Sequence, residues 1–290
     1  MIEYDPHQWR STFFALRGSM VRAIAVRSGL AMVFATTITV LHFYVTPLSF
    51  NEAAAAHGLI GPALSLLLVF RTNASYDRWW EARKLWGTIV NTCRNLARAS
   101  SVHLSDEPER LTRVLALTAS FPGTAMRELR GAPRVISESL SPVDREALAR
   151  PGHLPTATCT RITALLDERR RQGRLPDMVF TSLDAHVATL VDAIGACERI
   201  HKTPLPFAYV VHLRRAIVLF CGTLPFALLG RFGVVALPLT FVISYVRFGI
   251  EEIGVEIEDP FEGDDNDLPL EKITATIERD VGAFRPPSSP

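Results

Sequence analysis

Phe70-Arg71-Thr72-Asn73-Ala74-Ser75-Tyr76-Asp77-Arg78-Trp79-Trp80-Glu81-Ala82-Arg83 follows without a break on an uncharged run from Leu59 to Phe70. A helix that is apolar up to Phe70 and crowded with Arg and Trp beyond it has the composition of a membrane span leaving the bilayer. Amphipathic rings and cations sit there among the headgroups. A plain aromatic belt on a structural span would give the same residue types, so this junction marks where function is to be sought without defining it.

Composition fits a membrane protein with a large wet part. The chain has 290 residues, 48% of them hydrophobic, and a mean hydropathy of +0.17, which is high for a soluble protein. Its 31 Lys and Arg nearly balance 30 Asp and Glu, so binding to nucleic acid through net positive charge is not expected, and lipid is the better partner. Cys93, Cys159, Cys197 and Cys221 are scattered with no metal or disulfide spacing, which suits a reducing interior. Met1 to Gln8 is polar and acidic and the first apolar run comes late, so no cleavable signal peptide is expected.

Ser28 to Val45 and Ala53 to Phe70 are the first two candidate spans, joined by a turn over Thr46 to Glu52 with Pro47 and Asn51. Ala216 to Gly230 and Phe232 to Val246 form a second pair. Each is short but extendable through Leu205 to Leu213 and Arg247 to Val255, and Pro225 and Pro238 are expected to kink or break them. Two buried helices of a soluble bundle would give the same lengths. Arg10, Arg17, Arg22 and Arg27 precede the first span, and Arg71, Arg78, Arg83 and Lys84 follow the second. The turn between them has no Lys or Arg, so it faces outward, with both termini and the middle of the chain on the cytosolic side of the plasma membrane.

The fold class expected is all-α: four membrane helices in two hairpins plus a cytosolic helical domain. The chain divides into a cytosolic segment over 1–27, a first hairpin over 28–84, a helical domain over 85–204, a second hairpin over 205–255 and an acidic tail over 256–290. In the middle domain Leu85 to Ala99 continues the second span, and Pro108 to Arg130 carries Leu111, Val114, Leu115 and Thr118 at helical spacing. Pro142 to Ala149 opens with Ser141 as its cap, and Thr156 to Arg171 is a further helix. Pro176 to Ile200 repeats Val179, Leu183, Val187, Leu190 and Ile194 along one face, and Gly131 to Pro133 and Pro151 to Pro155 are loops.

Catalytic signatures are missing: no glycine-rich phosphate loop, HExxH pair or nucleophile elbow occurs, so no enzyme is expected. His42 and His57 read as interfacial residues, and Glu251 with Glu252 as a solvated helix terminus. Glu262, Asp264, Asp265 and Asp267 offer hard oxygen ligands of the kind calcium takes, but the glycine is misplaced for an EF-hand. A solvated acidic turn is the alternative.

Three separated segments carry a family resemblance: the junction around Phe70 to Arg83, the stretch Glu198-Arg199-Ile200-His201-Lys202-Thr203-Pro204-Leu205-Pro206-Phe207-Ala208-Tyr209, and the acidic run Glu256 to Leu270. In this order they resemble the bestrophin family in its prokaryotic form, and are similar also to the voltage-dependent chloride channels of plant thylakoids. The resemblance covers about Arg22 to Leu270. It implies a homopentameric ion channel with the second helix of each subunit lining one central pore. It further implies a hydrophobic neck at Pro62, Leu66 and Phe70 and a cytosolic aperture at Leu205. Physics agrees that several copies are needed, since four short spans are too few to enclose a water-filled path.

Leu66 and Phe70 stand one helical turn apart, so rings of them would gate by dewetting, although ordinary helix packing uses the same spacing. Pro62 departs from the usual aliphatic residue of the family. The stripe Leu66, Phe70, Asn73 and Asp77 would draw cations if it faced the axis, and Arg71 or Arg78 there would draw anions. Family grounds put small monovalent anions, chloride foremost, ahead of a sodium-passing channel, with a non-conducting scaffold a more distant alternative. No cofactor is required. The acidic run departs from the calcium clasp of animal relatives in the order of its glutamate and glycine, and a role in tying neighbouring subunits is expected of it instead.

Overall fold

The computed structural model describes residues 18–46, 51–150 and 152–286, with positions 5, 7, 10 and 13–15. Positions 47–50 of the expected outward turn, Arg17 of the basic flank and Pro151 lie outside the described residues. Among the described residues there is no strand, in keeping with the all-α class. The chain forms two compact units, one of residues up to Trp79 with Pro204–Asp259, the other of Trp80–Thr203 with Pro260 onward.

The first unit holds α1 (Val21–Tyr44), the first half of α2 (Asn51–His103), α7 (Phe207–Phe232) and α8 (Ala236–Glu256). α1 packs on α8 and α7, and α7 packs on α8. Ile24, Leu64, Leu68, Leu213, Ile217, Phe220, Leu224 and Phe248 form their shared core. Ser28 and Ala35 on α1 and Thr240 and Ser244 on α8 are buried as well, small residues of the kind that let apolar helices approach closely. Pro225 does not end α7, and Pro238 falls in the first turn of α8, where a missing N–H has no helical partner to lose. The break lies instead at a 3-10 turn, Gly233–Val235, where Gly233 takes a φ of +53° that only glycine adopts cheaply.

Val21–Tyr44, Ala53–His103, Asp177–Lys202 and Phe207–Glu256 are long and apolar enough to cross a membrane. The turn at Gly233–Val235 divides the last into α7, of 26 residues, and α8, of 21 residues, each near the length a bilayer needs. Asp177–Lys202 has another explanation: Leu183, Val187, Leu190 and Ile194 are buried inside the second unit, as their spacing predicts.

That unit consists of the rest of α2, α3 (Pro108–Leu129), α4 (Pro142–Leu148), α5 (Leu154–Arg171), α6 (Asp177–Lys202) and α9 (Leu270–Gly282). α3 packs on α5 and α9, and α5 on α6 and α4. Ser141 caps α4 as expected, accepting the Asp144 N–H at 3.2 Å. Asp144 is fully buried and gathers Arg113 at 2.7 and 2.9 Å, Arg161 at 2.7 Å and the Ser141 hydroxyl at 2.6 Å, joining α3, α4 and α5. Burial pushes its carboxyl up, and these bonds outweigh burial and hold it well below the usual aspartate range. α5 begins two residues earlier than its pattern suggested, because His153 supplies the cap. α9 had no counterpart in the sequence reading, although Leu270, Thr274, Ile277 and Val281 make a buried helical stripe. All four cysteines are free and buried.

Candidate functional site

α2 presents two opposite faces. Leu64, Leu68, Arg71 and Ser75 are buried against the first unit, whereas Pro62, Leu66, Phe70, Asn73 and Asp77 are exposed. At about 100° per residue the exposed five fall within an arc of roughly 80°. They form one continuous stripe, apolar in its first three members and polar in its last two. Leu66 is 54% and Phe70 56% exposed, so packing within the chain does not account for either.

Arg71 is not on that stripe. It is 1% exposed, its Nη2 donates to Glu258 Oε2 at 3.0 Å, and a Cβ on Gly254 would come within 3.3 Å of its Nε. A side chain at 254 would crowd the guanidinium by a few tenths of an ångström. Arg78 is half-buried and its Nε donates to the Glu258 carbonyl at 2.9 Å. Of the two alternatives weighed for this junction, Asp77 shares the exposed stripe, while Arg71 is turned into the protein.

Glu258 also reaches Leu205, whose N–H donates to Oε1 at 2.8 Å. One carboxylate thus ties the residue after the apolar run of α2 to the segment leading into α7. Tyr209 adds a second tie, its hydroxyl donating to the Leu67 carbonyl at 2.7 Å. Glu258 stands in the acidic run of the sequence with nothing to set it apart from Glu256, and only the fold selects it.

Behind the apolar part of the stripe lies a cation. Arg247 Nη2 donates to the Gly61 carbonyl at 3.1 Å and to Ser65 Oγ at 3.3 Å, and its guanidinium is 4.3 Å from the centre of the Phe220 ring. His57 meets the same ring at 4.7 Å and bonds the Ala53 carbonyl and Thr223, so it is a packed residue of the first unit. Arg247 makes no ion pair with a carboxylate among the described residues, and the contacts that hold it are a carbonyl, a hydroxyl and a π-face. In the sequence it stands out only as the first residue of the extension Arg247 to Val255.

Glu251 and Glu252 do not end a helix, since α8 runs on to Glu256. Glu251 is buried and accepts from Arg214 at 2.8 Å and Arg27 at 3.5 Å, and Glu252 pairs with Arg27 at 2.5 Å. The expectation of a solvated terminus is thereby corrected: the pair is a cross-link among α1, α7 and α8.

In the acidic run, Asp267 is 1% exposed and its Oδ2 accepts the N–H groups of Gly263 and Asp264 at 2.7 and 2.8 Å. It closes its own loop, while Glu262 and Asp264 are exposed and Asp265 half-exposed. The run is held within the chain by Arg130, which donates to the Phe261 carbonyl at 3.0 Å and pairs with Glu271. Among the described residues, three metal-ligating side chains converge elsewhere, at Glu128, His153 and Glu198.

Comparison with known proteins places this geometry. A family model described as "Bacterial/Fungal Bestrophin protein" matches residues 1–283. A voltage-dependent anion channel-forming protein of Nostoc sp., alr2987, is 36% identical over 94% of this chain and 90% of its own. A voltage-dependent anion channel-forming protein of Escherichia coli K12, YneE, is 31% identical over 97% and 93%. The crystal structure of a bacterial bestrophin homolog from Klebsiella pneumoniae superimposes with a TM-score of 0.83 at 29% identity, covering 90% of this chain and 98% of that one.

Proposed function

The chain belongs to the bacterial and fungal bestrophin family, and on that premise we propose that it is a membrane channel of five identical subunits passing small monovalent anions, chloride foremost. The observation that carries this reading is the exposed stripe on α2. The opposite face of α2 is packed, and the stripe itself is apolar at Pro62, Leu66 and Phe70 and polar at Asn73 and Asp77. Around a symmetry axis it supplies a dewetting neck followed by a hydrated vestibule. In this reading Leu205, held by Glu258, lines the second constriction. α1 with α2 and α7 with α8 are the two membrane hairpins, and the second unit and both termini lie on the cytosolic side of the plasma membrane.

The anion preference rests on the names of the relatives and on Arg247. A cation next to Gly61 and Ser65, with no carboxylate paired to it among the described residues, raises the potential at Pro62 and Leu66 and favours anions in a low-dielectric neck. Asp77 supports the opposite reading, a sodium-passing channel of the same fold, because its position on the exposed stripe concentrates cations at the vestibule. Reversal potential across planar bilayers holding the purified protein, under a chloride gradient, decides between them. A shift toward the chloride potential supports the anion channel, and a shift toward the cation potential overturns it. Silence with the protein shown to be inserted points to a scaffold. The acidic run is read as structural, tying subunits together through its exposed acids while Asp267 shapes the loop.

A further inference from the structure

We propose that Glu128, His153 and Glu198 form a binding site for a divalent transition metal, with zinc the best match. The three come from different elements, Glu128 from the end of α3, His153 from the cap of α5 and Glu198 from the last turns of α6. Their ligating atoms all lie within 4.8 Å of one another. Around a tetrahedral zinc with bonds of about 2.0–2.2 Å, ligand atoms stand roughly 3.3–3.6 Å apart. His153 Nε2 and Glu198 Oε1 are already 3.0 Å apart, and Glu128 is exposed and has room to close the rest by a change of rotamer.

A second observation is independent of the clustering. His153 Nε2 is shielded from solvent and makes no hydrogen bond, because its short approach to Glu198 lacks hydrogen-bond geometry. An orphaned ring nitrogen is costly unless something other than a proton donor or acceptor of the chain meets it. The other nitrogen explains how it can be free. Nδ1 is 2.6 Å from Thr156 Oγ1 and accepts the Thr156 N–H at 3.4 Å as the α5 cap; metal binding at Nε2 takes the tautomer with the proton on Nδ1, which then donates to the Thr156 hydroxyl in place of that long cap bond. A histidine ligand anchored through its far nitrogen is the usual arrangement around a bound metal.

The donor set selects the ion. One imidazole and two carboxylates suit zinc and its neighbours, whereas calcium and magnesium take oxygen alone and copper(I) prefers sulfur. The competing cation is Lys202, whose Nζ is 3.7 Å from Glu198 Oε1. Its side chain is 68% exposed, so its pairing is weak and readily displaced. A bound metal would join the ends of α3 and α6 to the start of α5 within the second unit, and no catalytic step is assigned to it.

The test is equilibrium dialysis of the full-length protein in detergent against micromolar zinc after chelator stripping, with metal per chain read by mass spectrometry. Wild type is compared with Glu128→Gln, with His153→Asn, which keeps a capping acceptor for α5, and with Asp264→Asn/Asp265→Asn as a control. The expected result is about one zinc per chain in wild type and in the control, with affinity falling at least about tenfold in each site variant. No uptake by wild type, uptake unchanged in Glu128→Gln, or loss only in the control would each overturn the site. Because Glu128 is exposed, its variant decides the matter if His153→Asn fails to fold. Binding is read without ion flux, so failure here leaves the channel reading untouched and the reverse also holds.

Discussion

Glu258 and Leu205 are joined side chain to backbone, the Leu205 N–H donating to Glu258 Oε1 at 2.8 Å while Oε2 takes Arg71 at 3.0 Å. The segment proposed to line the aperture is therefore held by the carboxylate that neutralises a buried arginine one residue beyond the proposed neck. Glu258→Gln keeps an acceptor for Leu205 but leaves Arg71 without its counter-charge. Removing one partner of a buried pair costs roughly 3–5 kcal/mol, so thermal unfolding should drop substantially. A variant as stable as wild type would mean the pair contributes little.

Leu64 and Leu66 make a matched comparison on one helix. Leu64 is 2% exposed and Leu66 54%. Leu64→Ala should cost roughly 2–5 kcal/mol and leave conductance per folded channel unchanged. Leu66→Ala should shift stability by no more than about 0.5 kcal/mol and raise basal conductance, because a dewetting ring loses bulk. Single-channel recording with a melting curve separates the two, and conductance unaffected by Leu66→Ala would remove Leu66 from the neck.

Arg247→Gln and Asp77→Asn should move selectivity in opposite directions. The first removes the positive charge beside Gly61 and lowers the permeability of chloride relative to sodium, and the second raises it. Reversal potentials under a salt gradient measure both. If neither shifts, ion choice is set elsewhere than at the charges flanking the stripe.

Asp144 gives the second unit an acid limit. Its carboxyl titrates below the unfolded aspartate value of about 3.9, so its contribution is complete above that pH and is lost as pH falls through the lower folded value. Melting temperature in detergent should fall between about pH 4 and pH 2 more steeply for wild type than for Asp144→Asn, which has no such charge to lose. Equal slopes would show that other carboxylates govern acid unfolding.

How much of this the sequence held depends on the range of the interaction. The passage of α2 from an apolar run into an Arg and Trp cluster is local, and so are the Ser141 cap and the stripe Leu183, Val187, Leu190 and Ile194, all legible from spacing and residue type. The contacts that organise the site are not local. Arg247 meets Gly61 and Glu258 meets Arg71 only because α8 and the segment just after it are brought against α2, and periodicity carries no signal for a pairing across most of the chain. Helix ends near a charge run misled in the same way. Glu251 looked solvated because acids commonly end helices, yet two arginines from other helices bury it. α9 was hidden behind the acidic run although Leu270, Ile277 and Val281 keep helical spacing.

The burial of the cysteines has a practical consequence. Cys93, Cys159, Cys197 and Cys221 are each at most 3% exposed, and desolvation raises the thiols of the second unit, Cys159 and Cys197 both to about 12. Since the thiolate is the reactive form, a charged, water-soluble thiol reagent should leave the native chain unmodified. A single cysteine introduced at Leu66, Phe70 or Asp77 then becomes an address that such a reagent can find. Its reaction rate from either side of the membrane would map the water-filled path on an otherwise natural background.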